Sequence, residues 1–119
     1  MYRLRVIDSF ASAHFLRNYE GKCENLHGHN WRVEVYLEGD KLNETGLLVD
    51  FKEIKKELKK ILDELDHIFL NEHEYFKNVN PTSENIAKYI YDKMKEKFEN
   101  LMKSVVVWES DNAAAEYFE

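Results

Sequence analysis

Asn30-Trp31-Arg32-Val33-Glu34-Val35-Tyr36-Leu37-Glu38 alternates without a break. Trp31, Val33, Val35 and Leu37 fall on one side of an extended chain, and Arg32, Glu34 and Tyr36 on the other. A two-residue period with one apolar side predicts a half-buried strand of an antiparallel sheet, because such sheets commonly keep one face wet. Working back from it, an irregular stretch at Arg17–Asn25 separates this strand from Tyr2–Phe10. In that earlier segment Leu4, Val6 and Phe10 are offset from Arg3, Arg5 and Ser9, which predicts a first strand.

Working forward, the apolar run Gly46–Phe51 contains Asp50, a carboxylate suited to capping the helix that follows. Phe51, Ile54, Leu58, Ile61, Leu62 and Leu65 recur at helical spacing, with lysines and glutamates between them, so a helix is expected to about Glu64. A loop from Asp66 to Asn80 leads into Pro81-Thr82-Ser83-Glu84. There Thr82 or Ser83 caps a second helix, whose buried stripe is Ile86, Ile90, Met94 and Phe98. Ser104–Trp108 is rich in β-branched residues, and Ala113–Phe118 follows as a short last strand. The order ββααββ suits an α+β layer: one antiparallel four-stranded sheet carrying both helices on one face. So small a sheet leaves two edges and a bare face, which favours association with other chains.

At 119 residues the chain is expected to be one domain, residues 1–119. A composition 44% hydrophobic and 34% charged is that of an ordinary globular protein. The net charge of −6 and the lack of a basic stripe argue against nucleic acid as a partner. No apolar run approaches the ~20 residues of a membrane helix, and Met1–Phe10 does not resemble a signal peptide. With Cys23 the only cysteine, a cytoplasmic location is the expectation.

The chemistry concentrates in Ser12-Ala13-His14 and Cys23-Glu24-Asn25-Leu26-His27-Gly28-His29. His27 and His29 share a face of an extended chain, and Gly28 between them adds no side chain. If the first two strands pair as a hairpin, His14 joins them, and three imidazoles with an open fourth position are the donor set of a catalytic zinc site. His73, in a polar loop, reads as a solvated surface residue. Cys23 keeps two readings. Beside a metal its thiolate is a base or nucleophile; as a fourth zinc ligand it would instead close the site, making the chain a zinc-stabilised binding module without activity. Asp66-His67 is either a carboxylate–imidazole pair or an ordinary helix end, and the dipeptide alone favours the latter. Glu109, after Val105-Val106-Val107-Trp108, is either a surface carboxylate or an acceptor for the two donor hydrogens of a flat, guanidine-like ring edge.

Together these segments resemble the 6-pyruvoyl-tetrahydropterin synthase and 6-carboxytetrahydropterin synthase family. The match runs through Ala13-His14, Cys23-x3-His27-Gly28-His29, Thr45-Gly46 with Asp50-Phe51, Leu65-Asp66-His67, Pro81-Thr82-Ser83-Glu84-Asn85 and Glu109. The resemblance implies the tunnelling fold, and a homohexamer of two stacked trimers with active sites between subunits. It implies zinc on His14, His27 and His29, Cys23 as the proton-abstracting base, and Asp66 and His67 as an assisting pair acting on a neighbour's zinc. Glu109 would anchor the pterin, in a pocket lined by Thr82, Ser83 and Glu84. The implied substrate is 7,8-dihydroneopterin triphosphate. The product would be 6-pyruvoyl-tetrahydropterin or 6-carboxy-5,6,7,8-tetrahydropterin, the latter feeding deazapurine synthesis for modified tRNA bases. One departure stands out: Glu24 follows Cys23 directly, and Glu-x-x-His-Gly-His resembles a branch that cleaves the same substrate to 6-hydroxymethyl-7,8-dihydropterin.

Overall fold

The computed structural model describes residues 1–20 and 25–119. Four strands, β1 (Tyr2–His14), β2 (His27–Gly39), β3 (Met102–Ser110) and β4 (Ala113–Phe118), form one antiparallel sheet in the order β1-β2-β3-β4. Helices α1 (Phe51–Asp63) and α2 (Ser83–Phe98) lie between β2 and β3 in the chain. The expected α+β order, ββααββ, is the one observed.

The alternation that predicted β2 is the one that builds the core. Trp31, Val33, Val35 and Leu37 are completely buried, together with Val105 and Val107 of β3 and Ile54, Leu58, Ile86, Ile90 and Met94 of the helices. Asp50 caps α1, its carboxylate accepting from Lys52 N at 2.9 Å. Thr82, not Ser83, caps α2, its hydroxyl accepting from Asn85 N at 3.1 Å. Phe51 departs from the expected stripe: it opens α1 and stays 48% exposed, whereas Ile54, one turn further in, is sealed.

Both long strands extend past their expected ends toward the histidines. β1 continues to His14 and β2 begins at His27, with Ser12 opposite His29, Ala13 opposite Gly28 and His14 opposite His27. What β1 lacks on its outer edge here is supplied by the segment after α1. Ala11 N donates to Asp66 Oδ1 at 2.9 Å, His67 N to Ala11 O at 2.5 Å and Ala13 N to Ile68 O at 3.2 Å. The Ser12 hydroxyl, buried, donates to the Leu65 carbonyl. Two asparagines continue the pattern by imitating a strand. The Asn71 amide accepts from Phe15 N at 3.0 Å and donates to Phe15 O at 2.9 Å, and the Asn80 amide does the same for Arg17 at 2.9 and 2.8 Å. Backbone groups at the end of a strand need such partners when no second strand reaches them.

Candidate metal centre and active site

On the helix-covered face, where the sheet ends beneath the start of α2, His14, His27, His29 and Glu109 converge. One donor atom from each lies within 4.8 Å of all the others. The three imidazole centroids are 4.6, 4.7 and 5.1 Å apart and mutually steep, at 69°, 90° and 75°. Trp31 forms the floor, its ring 4.9 Å from His14 and 5.1 Å from His29. Periodicity marked Trp31 only as core; that it also seats two histidines follows from its place two residues after His29, on the same face of β2.

The hydrogen bonds on the outer ring nitrogens fix which nitrogen faces inward. His14 Nδ1 lies 2.7 Å from the Pro81 carbonyl and His27 Nδ1 lies 2.8 Å from the Asn25 carbonyl. A carbonyl only accepts, so both Nδ1 atoms carry hydrogen, and in the neutral rings both Nε2 atoms present lone pairs. Those two Nε2 atoms face each other at 3.0 Å. Burial pushes the His14 imidazole down from its ordinary value; the Pro81 bond opposes this, and the neighbouring His27 reinforces it. Two lone pairs so placed call for a cation between them.

His29 Nε2 is buried and has no hydrogen-bond partner among the described residues. Glu109 Oε1 lies 3.4 Å from it, near enough for an ion-pair contact but without the geometry of a hydrogen bond. In a tetrahedral zinc site with Zn–N and Zn–O of about 2.0 Å, donor atoms are about 3.3 Å apart. Two of the six donor pairs, at 3.0 and 3.4 Å, lie close to that spacing, and all six lie within 4.8 Å. The residues present therefore fit a tetrahedral divalent metal.

Gly28 does not keep its expected role. A Cβ there would meet only Ser12 O, at 3.9 Å, so an alanine would fit. His73 also differs from the expectation of a solvated residue. It is half-buried, caps a short turn by accepting from Tyr75 N at 3.2 Å, and packs edge-on against Tyr89 at 5.3 Å.

Of the other expected site residues, Ser83 is buried with its Oγ 3.5 Å from Glu109 Oε2. Ser83, Glu84 and Glu109 line a pocket of about 250 Å³ with Ser110 and Ala113–Ala115. Thr82 spends its hydroxyl on the α2 cap. Asp66 and His67 pair at 2.9 Å, and the bond from Ala11 N, with the His67 contact, holds the Asp66 carboxyl below its ordinary value. Neither residue joins the metal cluster of its own chain. His67 is exposed, in left-handed backbone (φ 56°), and lines a hollow of about 470 Å³ with Ala11, Ser12, Ala13, Gly28, His29 and Asn30. A non-glycine residue in that conformation costs about 1–2 kcal/mol, and the bonds to Ala11 hold it there. Cys23 and Glu24 lie outside the described residues.

Sequence reasoning missed the two asparagines that pair with the end of β1, and it did not place Glu109 beside the histidines.

Residues 3–119 match the family model described as 6-pyruvoyl tetrahydropterin synthase. A Synechocystis protein named 6-carboxy-5,6,7,8-tetrahydropterin synthase is 41% identical over 115 residues, covering 92% of this chain and 88% of that protein. A Haemophilus influenzae protein of the same name is 32% identical over 142 residues, covering both completely. The solved structure of Caenorhabditis elegans 6-pyruvoyl tetrahydropterin synthase superposes with a TM-score of 0.88 at 32% identity, covering 99% of this chain and 95% of that one. The expected tunnelling fold is thus the fold of a solved relative.

Proposed function

The chain belongs to the 6-pyruvoyl tetrahydropterin synthase family and is an enzyme of pterin synthesis, and from that premise we propose that it is a zinc-dependent lyase acting on 7,8-dihydroneopterin triphosphate. The observation that carries this reading is the convergence of three imidazoles, two of which, His14 and His27, have their inward lone pairs fixed by carbonyls at Nδ1. The names of the Synechocystis and Haemophilus relatives support 6-carboxy-5,6,7,8-tetrahydropterin as the product. Forming it, with acetaldehyde and triphosphate as the other products, takes up one water.

His14, His27 and His29 would hold the zinc, which when bound supplies Lewis-acid polarisation of the substrate's side-chain hydroxyls and eases loss of the neighbouring proton. Cys23, as thiolate, takes that proton. Glu109 accepts two hydrogens from the amino-pyrimidine edge of the pterin, with Ser83 steadying the carboxylate and Thr82 and Glu84 beside it. Asp66 orients His67 for acid–base work on a hydroxyl. As the family resemblance implies, that pair serves the zinc of a neighbouring subunit in a homohexamer built from two trimers, and its place outside the donor cluster of its own chain agrees with this. Trp31 closes the floor against water.

The test is incubation of zinc-loaded protein with 7,8-dihydroneopterin triphosphate, with products separated by chromatography. Release of the 6-carboxy compound with acetaldehyde is the expected result. Substrate recovered unchanged would refute the proposal, and 6-pyruvoyl-tetrahydropterin or 6-hydroxymethyl-7,8-dihydropterin instead would refute its product assignment. Light scattering reads the assembly; a monomer at micromolar concentration would refute the shared site.

A further inference from the structure

We propose that Glu109 is an exchangeable fourth donor, closing the metal site of the substrate-free protein and leaving it when a pterin ring claims the carboxylate. The inference rests on the function proposed above, in that the three histidines must hold the metal. A residue that served only as ring anchor has no reason to stand among the metal donors, yet Glu109 Oε1 lies 3.4 Å from His29 Nε2 and belongs to the same 4.8 Å cluster as His14 and His27. That contact lacks hydrogen-bond geometry, and His29 Nε2 has no other hydrogen-bond partner among the described residues. Two atoms at that distance with no hydrogen bond between them are spaced as two donors to one cation.

The other half of the carboxylate explains how it can leave. Among the described residues Oε2 has only the Ser83 hydroxyl, at 3.5 Å, a long and weak contact. The Glu109 side chain remains 41% exposed and borders the pocket shared with Ser83 and Glu84. A flat ring entering that pocket with two N–H donors on one edge offers the carboxylate a bidentate partner. Taking it frees one position on the metal at the moment a substrate side chain arrives to use it. The site is therefore closed to water until the ring is bound, so three histidines and one glutamate form a catalytic site and not a structural one.

Cobalt(II) reports this directly, because its visible bands are intense in four-coordinate sites and weaken as the coordination changes. Metal-free wild-type protein and Glu109→Gln are titrated with cobalt(II), and each complex is then titrated with unsubstituted pterin, whose ring carries no side chain able to reach the metal. Wild type should bind cobalt with an intense four-coordinate spectrum. Glu109→Gln should bind it at least about tenfold more weakly with a changed spectrum, since losing even an outer partner of a metal ligand costs about 10–100-fold. Pterin should move the wild-type spectrum toward that of the variant and leave the variant's unchanged. Identical affinities and spectra would overturn the inference while leaving the histidine site intact. A wild-type spectrum indifferent to pterin, which needs no variant to observe, would overturn the exchange. Wild type that binds no cobalt would overturn the metal reading itself.

Discussion

Asn71 links the fold to the metal site most economically, and replacing it has a calculable cost. The residue is 6% exposed, and its side chain pairs through both its oxygen and its nitrogen with backbone groups of Phe15, the residue after His14. In Asn71→Ala the Phe15 N–H and C=O lose their partners in a half-buried place. Each bond is worth about 1 kcal/mol net, and more where the orphaned group cannot reach water, so the loss should total about 2–4 kcal/mol. Unfolding entropy of about 2.1 cal/mol/K per residue gives about 0.25 kcal/mol/K for a chain of 119 residues, so Tm should fall by roughly 8–16 °C. Asn71→Asp separates the bonds from the packing. It keeps an acceptor for Phe15 N but turns a second oxygen toward Phe15 O, so it should be destabilised at neutral pH and partly recover in acid, where the protonated carboxyl can donate. Calorimetry or thermal circular dichroism measures both. A Tm for Asn71→Ala within 2 °C of wild type would refute the claim that this amide completes the edge of β1.

Glu34, buried on the opposite face of the sheet, accepts from the Tyr36 hydroxyl and Trp108 Nε1, both at 2.6 Å, and Glu34→Gln should lower Tm by removing the charge that strengthens both bonds and pairs with Arg32. Burial alone would raise its pKa, but these two bonds with Arg32 and Arg5 outweigh it and hold the carboxyl below its ordinary 4.5. The Tm gap between wild type and variant should therefore be full above pH ~4.5 and shrink as pH falls below it; a gap constant to pH 3 would contradict this. Gly28→Ala should retain zinc, since its Cβ has room, and metal loss on that substitution would contradict the geometry. Cys23→Ala should abolish the carboxypterin while sparing any hydroxymethylpterin, and Glu24→Ala should do the reverse; an unchanged product pattern in Cys23→Ala would remove the thiolate from the mechanism.

The sheet was legible where one face is dry and the other wet. Trp31 to Leu37 could adopt only one register without turning its apolar set to water, and the structure keeps that register. The last turns of β1 were not legible, because Ser12 and Ala13 interrupt the apolar pattern and the strand is held there by the Leu65–Ile68 segment, more than fifty residues away. The same distance hides Asn71 and Asn80, which in sequence are two polar residues in a polar loop. The histidine trio was legible because i and i+2 on a strand share a face and a hairpin brings His14 opposite His27. Glu109 was half legible: its position at a strand end showed a carboxylate available for a ligand. Its approach to His29 depends on the β2–β3 register, which no local pattern encodes.

The central claim, that this pterin synthase works through zinc on His14, His27 and His29, meets its most direct test in a titration of metal-free protein with zinc. Turnover of 7,8-dihydroneopterin triphosphate is followed at each addition. Activity should begin near zero, rise linearly and saturate at about one zinc per chain, with no rise in the protein bearing His14→Ala, His27→Ala and His29→Ala together. Full turnover by the metal-free wild type, or equal activation of the triple variant, would contradict that claim.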